Sequence, residues 1–398
     1  MKLYDAYQNF CEHRKKTHQF RALRESLPRI DGHALIDGQN LINFSSNDYL
    51  GLSQHPSLIK AAQSYAERYG AGSTASRHIS GNNPHYASIE SKIARGKGTE
   101  AALLMNSGYQ ANITVLAALA DAEVVGKAVH ILADRLCHNS LLQGAILSGA
   151  QLKRFHHNDY AHLESLLQQQ KEKGTHIIIV TESVFGMDGD RADLKALTDL
   201  ASRYEAMLYV DEAHATGLYG SHGFGLASDY KGQIDIIMGT CGKALGSFGA
   251  YIASSQIIRD YLIQRCGGLI YSTALPPAIL GSIEAALDLL PHLNKERDYL
   301  EAQSKRLRQA LCEQGWDCAE STTQIIPIIL GHEEAATHLS EQLKLKGFFV
   351  PAIRPPTVPR GTSRLRISLS AAHKADDIDR LINAMASLKA NEQKALAS

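Results

Sequence analysis

The sequence predicts an α/β protein: a large domain with a mostly parallel sheet, followed by a smaller C-terminal α+β domain. Three observations carry this. From about Ser45 to Ser254, short apolar and β-branched runs alternate with longer stretches of helical period, as strands joined by crossover helices do. The run His176–Thr181 holds three successive isoleucines, which suits a strand buried on both faces. After Pro276–Pro277 the composition turns helical and charged from Leu293 to Gly315, then strand-like in I-I-P-I-I-L, helical, and strand-like again at Arg364–Ser368.

Taken in order, residues 1–44 are expected to form an arm that packs on another part of the assembly, 45–285 the large domain and 286–398 the small one. The basic run from His13 to His18 reads as a solvated helix face, too short to track a phosphate backbone. Strands are expected at Ala101–Met105, Val129–Ala133, His176–Thr181, Met207–Val210, Asp235–Met238 and Gly249–Ala253. Helices are expected at Asn112–Leu119, Ser140–Leu147, Ala161–Gln169 and Asp193–Tyr204, the last with Asp193 as its N-cap.

Composition narrows the function. Lys+Arg and Asp+Glu both number 41 in 398 residues, so bulk charge gives no footprint for nucleic acid. No apolar run approaches the roughly 18–20 residues that cross a bilayer, and the N-terminus lacks a signal-peptide core, so a cytoplasmic protein without membrane partners is expected. Six cysteines without a C-x-x-C pair fit reduced thiols, and His332-Glu333 followed by a histidine only at His338 breaks zincin spacing. No structural metal is expected.

Four short segments carry chemistry. In I-I-M-G-T-C-G-K-A-L-G a buried run delivers Lys243 between glycines; the spacing is not that of a Walker A loop, and a desolvated lysine there suits a Schiff base with a carbonyl cofactor. In M-L-Y-V-D-E-A-H a strand ends on Asp211, with His214 three residues on and Lys243 32 residues after the aspartate. Ligands of open α/β sheets bind at such carboxyl edges, and an aspartate there can hold a proton on a pyridine nitrogen. Asn106-Ser107-Gly108-Tyr109 lies between a strand and a helix, where free amides form a phosphate cradle or merely a tight turn. Asp134 to Ser140 offers His138, an imidazole able to stack on an aromatic ring or to serve structure alone.

These segments, in this order and essentially end to end, resemble the α-oxoamine synthases, acyl-CoA-using members of the fold type I pyridoxal phosphate enzymes, whose fold is aspartate aminotransferase-like. The resemblance implies pyridoxal 5′-phosphate bound covalently at Lys243. It implies Asp211 on the ring nitrogen, His214 near the phenolic oxygen, His138 stacked on the ring, and Ser107, Gly108, Tyr109 and Thr240 near the phosphate. Glu182 sits in the matching T-E-x-V-F-x-M-D-G-D segment. Family members are homodimers, which implies Thr273 reaching the phosphate from the neighbouring subunit. Arg366 matches the arginine that binds the amino-acid carboxylate, a job for a bidentate guanidinium. Arg354 and Thr357, in R-P-P-T, with Arg21 and Asn47, match further substrate positions.

Within the family, S-S-N-D-Y-L-G-L at Ser45–Leu52 and the C-terminal R-P-P-T-V-P segment resemble most the biotin-pathway members, implying L-alanine and pimeloyl-CoA or pimeloyl-acyl carrier protein as substrates. Siblings that use glycine or serine, such as 2-amino-3-ketobutyrate CoA ligase, serine palmitoyltransferase or an α-hydroxyketone synthase, are the alternative, as is a silent subunit that kept the fold. Two positions depart from the pattern. Gly186 replaces a serine, removing a hydrogen bond to cofactor or substrate, and Arg77 stands where a small residue is common, an expected influence on acyl preference.

Overall fold

The computed structural model describes residues 3–397. It divides into two compact units, one of Met1–Gly51, Met187–Asp190 and Lys295–Ser398, the other of Leu52–Gly186 and Arg191–Asn294.

The second unit is built on a seven-stranded sheet of β1 (Ala101–Met105), β2 (Val129–Asp134), β3 (Gln151–Phe155), β4 (His176–Glu182), β5 (Met207–Asp211), β6 (Ile236–Thr240) and β7 (Ala250–Ser254). The spatial order is β1-β7-β6-β5-β4-β2-β3. Strands β2 to β6 run parallel, and β7 lies antiparallel between β1 and β6. The β-branched runs become the central strands because both faces are covered: all residues of β1, β2 and β7 are buried. Six of the seven strands coincide with the expected runs to within a residue or so. The exception is β3, Q-L-K-R-F, an edge strand whose half-buried lysine and exposed arginine guard the open edge and hide its period.

Helices α1 (Pro56–Tyr69), α2 (His85–Lys97), α3 (Gly108–Leu119), α4 (Asn139–Leu147), α5 (Tyr160–Lys171), α6 (Leu194–Tyr204) and α7 (Pro277–Leu289) belong to the same unit. Their starts follow capping chemistry: the side chains of Ser107, His138, Asp159 and Asp193 each accept a first-turn amide. A core of Leu103, Val115, Leu116, Ile131, Val180 and their neighbours lies between the sheet and its helices.

In the first unit, Ser363–Ser368 pairs antiparallel with both Ile325–Gly331 and Ala352–Ile353. A second sheet joins Ser26–Pro28, His33–Ile36 and Gln39–Asn43 to Phe348–Phe349, the last pair parallel. The amide of Ile42 bonds Gly347 O at 2.9 Å and that of Phe44 bonds Phe349 O at 3.0 Å. Residues 1–44, set apart as an arm from sequence, are thereby placed in one unit with the C-terminal segment. The helix Leu3–Lys16 ends in the basic run and buries none of its residues. No helix among the described residues is long and apolar enough to cross a membrane.

Candidate active site

The parallel strands deliver their carboxyl ends to one edge of the sheet, and the larger unit's predicted residues are gathered there. Asp211 ends β5, Glu182 ends β4 directly beside it in register, and Thr240 ends β6 on the other side. Ser107 follows β1 after one residue, and His138 lies in the loop after β2.

Lys243 is carried by a tight loop between β6 and β7. The Thr240 hydroxyl donates to Gly249 O at 3.0 Å and accepts the Gly242 amide at 3.1 Å, while the Gly246 amide returns to Lys243 O at 2.8 Å. Gly246 has φ +61°, and a Cβ there would lie 2.4 Å from the backbone of Leu52 and Ser53, so the loop closes only on glycine. Lys243 Nζ lies 2.8 Å from His214 Nε2. An ammonium has donors and no acceptor, so the pair with a charged lysine needs the imidazole protonated at Nδ1.

Asp211 is 3% exposed and doubly anchored: Oδ1 accepts the Ala213 amide at 2.8 Å and Oδ2 accepts Asn112 Nδ2 at 2.9 Å. Asn112 extends the network, donating to Ser140 Oγ at 2.8 Å and accepting the Tyr209 hydroxyl at 2.8 Å, and Ser140 Oγ lies 2.7 Å from His138 Nδ1. His138 and Asp211 are thus tied through two polar side chains on α3 and α4. Burial depresses the His138 pKa, with Lys243 acting the same way and Asp211 opposing, so the ring is held neutral. Its loop is fixed by Asp134, which accepts the amides of Leu136 and Asn158.

Glu182 accepts the His138 amide at 2.5 Å. Burial, helped by the charge of Asp211, pushes its carboxyl up to about 8, against the pull of the His138 and Gly186 amides and of Lys243. Burial therefore favours the protonated form of Glu182.

Ser107 caps α3 by accepting the Gln110 amide at 3.2 Å. The first-turn amides of Gly108 and Tyr109 have no intrahelical acceptor and lie at the positive end of the helix dipole, a setting suited to an anion. Asn106 Nδ2, next to this turn, donates to the Thr273 carbonyl of the same chain at 2.7 Å, and Thr273 bridges Ser76.

The remaining predicted residues belong to the smaller unit. Arg366 is 5% exposed on the strand Ser363–Ser368, with Nη1 2.6 Å from Ser368 Oγ and Nη2 3.2 Å from Asn47 Oδ1 and 3.3 Å from the Tyr49 hydroxyl. Arg21 Nη2 donates to Thr357 Oγ1 at 2.7 Å, and Arg354 bonds the carbonyls of His18 and Phe20. Arg21, Arg354 and Thr357 line one pocket with Phe20, Leu23 and Ile353. Burial and the charges of Arg21 and Arg14 lower the Arg354 pKa, the mark of a cation-rich setting.

Sequence reading missed Asn112, Ser140 and Tyr209. The available signal was a lone amide or hydroxyl on an otherwise apolar helix face or strand, where burial demands a partner. The Arg77 guanidinium lies 3.9 Å over the Tyr86 ring and bonds Glu90 at 2.5 Å and Asn82 at 2.9 Å, contacts internal to its own unit. Among the described residues, His156, Asp159 and His162 bring ligand atoms within 4.8 Å of one another. There Asp159 accepts the His162 amide and His162 Nδ1 the His156 amide, both closing the start of α5.

The larger unit's residues fit pyridoxal phosphate. An amine held against an imidazole, a buried carboxylate fixed by two N–H donors, a neutral histidine and a helix start with free amides match an aldehyde, a pyridine nitrogen, a ring face and a phosphate. Comparison with known proteins agrees. A serine palmitoyltransferase from Sphingomonas wittichii has the same fold at TM-score 0.90 and 27% identity, covering 97% of this chain and 98% of its own. The curated 8-amino-7-oxononanoate synthases of Gluconacetobacter diazotrophicus and Trichlorobacter lovleyi are 49% identical over 89% of this chain and 90% of their length, and 46% over 92% and 93%, respectively. The model for aminotransferase class I and II matches residues 39–385, and the chain belongs to that family.

Proposed function

We propose that the protein condenses L-alanine with a pimeloyl thioester, carried on coenzyme A or acyl carrier protein, giving 8-amino-7-oxononanoate, carbon dioxide and the free thiol for biotin synthesis. It works as a cytoplasmic homodimer with Thr273 completing the neighbouring site. The carrying observation is the Lys243 amine seated 2.8 Å from His214, one strand from buried Asp211, in a chain about half identical to curated synthases of this product.

Bound pyridoxal phosphate supplies a ring that withdraws electrons from the α-carbon of the amino acid. Asp211 keeps the proton on the pyridine nitrogen, and Asn112 keeps Asp211 aimed. Ser107, Gly108, Tyr109 and Thr240 hold the phosphate, His138 stacks as a neutral imidazole, and Glu182 fixes the His138 backbone. The Lys243 amine would take the α-proton of the amino acid and return a proton after carbon dioxide leaves. Arg366, steadied by Asn47 and Ser368, grips the amino-acid carboxylate. Arg21, Arg354 and Thr357 bind an anionic group, and a dicarboxylic acyl chain carries one.

A second reading, serine as the amino acid, is favoured by the 0.90 TM-score to serine palmitoyltransferase, but at 27% identity. Carboxyl-labelled L-alanine separates the two: the label is expected to leave as carbon dioxide, with the amino ketone detected by mass. After borohydride reduction, peptide mapping is expected to find the cofactor on Lys243. Label kept in the product, or attachment elsewhere, would refute the proposal.

A further inference from the structure

Gly186 follows β4 by four residues, in a segment tied back to β5 by the Ser183 amide on Asp211 O at 2.9 Å. Its φ is not in the left-handed region, so backbone geometry does not call for glycine here. Space does. A Cβ on Gly186 would lie 2.4 Å from His214 Nε2, 2.9 Å from its Cδ2 and 3.2 Å from its Cε1. The imidazole fills the volume that any side chain would occupy, and the atom it would lose first is Nε2, which meets Lys243 Nζ at 2.8 Å. His214 is 6% exposed, so the ring is enclosed and a displaced imidazole must break that contact.

We infer that Gly186 is a positioning residue in this chain: with no side chain where the family pattern carries serine, the His214 imidazole takes that space and sits against the Lys243 amine, a seat that a methyl group at position 186 would shift. This deepens the proposed function and rests on it only for Lys243 as the reactive amine. Glu182 and His138 also act on Lys243 through charge, and Gly186 donates its amide to Glu182. All of these groups persist in an alanine variant, so the comparison isolates His214.

The test uses the full-length, cofactor-free chain, in which Lys243 carries a free amine, as wild type, Gly186→Ala, His214→Ala and the double variant. The pH dependence of Lys243 acetylation by acetic anhydride, read by peptide mass spectrometry, gives the titration midpoint of the amine. The hydrogen bond to Nε2 stabilises the ammonium, so Gly186→Ala is expected to lower the midpoint by about half a pH unit or more. In the His214→Ala background the same change is expected to shift nothing. An unchanged or raised midpoint in Gly186→Ala, or an equal shift without His214, would overturn the inference.

Thermal melting supplies a second readout should Gly186→Ala fold poorly. Removing the imidazole vacates the contested space, so the double variant is expected to melt no lower than His214→Ala alone; a double variant as unstable as Gly186→Ala would overturn the steric argument. Because labelling is read on cofactor-free protein, a positive result stands even if no condensation is found, and a negative one leaves the condensation proposal intact.

Discussion

Replacing Asn112 with alanine is the sharpest probe of the polar network beneath the site. The side chain makes three hydrogen bonds among buried groups: to the Asp211 carboxylate at 2.9 Å, to Ser140 Oγ at 2.8 Å and from the Tyr209 hydroxyl at 2.8 Å. A bond to a charged group contributes about 1.5–3 kcal/mol and a neutral one about 1 kcal/mol, and Tyr209, fully enclosed, is left with an unmet hydroxyl. The expected loss is about 4 kcal/mol, read as a lower midpoint in urea unfolding at unchanged slope. Tyr209→Phe combined with Asn112→Ala should reveal a coupling of about 1 kcal/mol. A loss below about 1 kcal/mol would show that Asp211 does not depend on Asn112 and would refute the reasoning.

Other outcomes follow from neighbouring groups. Glu182 binds its proton more tightly folded than unfolded, because burial lifts its pKa from 4.5 to about 8; its contribution is complete below pH 4.5 and is lost as pH rises toward 8. Relative to Glu182→Gln, wild-type stability should therefore fall across that window by about 1 kcal/mol or more, whereas parallel pH profiles would contradict the assignment. Lys97→Met strands the Glu212 carboxylate, paired at 2.5 Å with both side chains fully buried, and should cost about 3–5 kcal/mol; adding Glu212→Gln should restore most of it in thermal or urea melts, and a double variant no better than the single would count against a buried ion pair. Arg77→Leu should lower stability without altering the order of preference among acyl-CoA chain lengths in a thiol-release assay, and a reordered preference would return Arg77 to the substrate.

The sheet was legible because its central strands are buried on both faces and so carry uninterrupted apolar runs, as His176–Thr181 does. Strand β3 escaped because only Phe155 of its five residues is buried. Lys243, Asp211, His214 and His138 were readable as reactive types at strand ends. Asn112 and Ser140 were not, since their partners lie 99 and 28 residues away from Asn112 along the chain and only the fold brings them together. The partners of Arg77 were hidden for a related reason: only the fold brings Glu90 and Tyr86 around its guanidinium. Gly186 drew notice as a departure, but the imidazole that fills its place could not be read from the sequence, since His214 lies on the loop after another strand.

The central claim is tested most directly by following thiol release from pimeloyl-CoA by cofactor-loaded protein given L-alanine, glycine or L-serine in parallel, with the Lys243→Ala protein as control. Release that depends on L-alanine and on Lys243 is the expected result. Release only with glycine or serine, or undiminished release by Lys243→Ala, would contradict it.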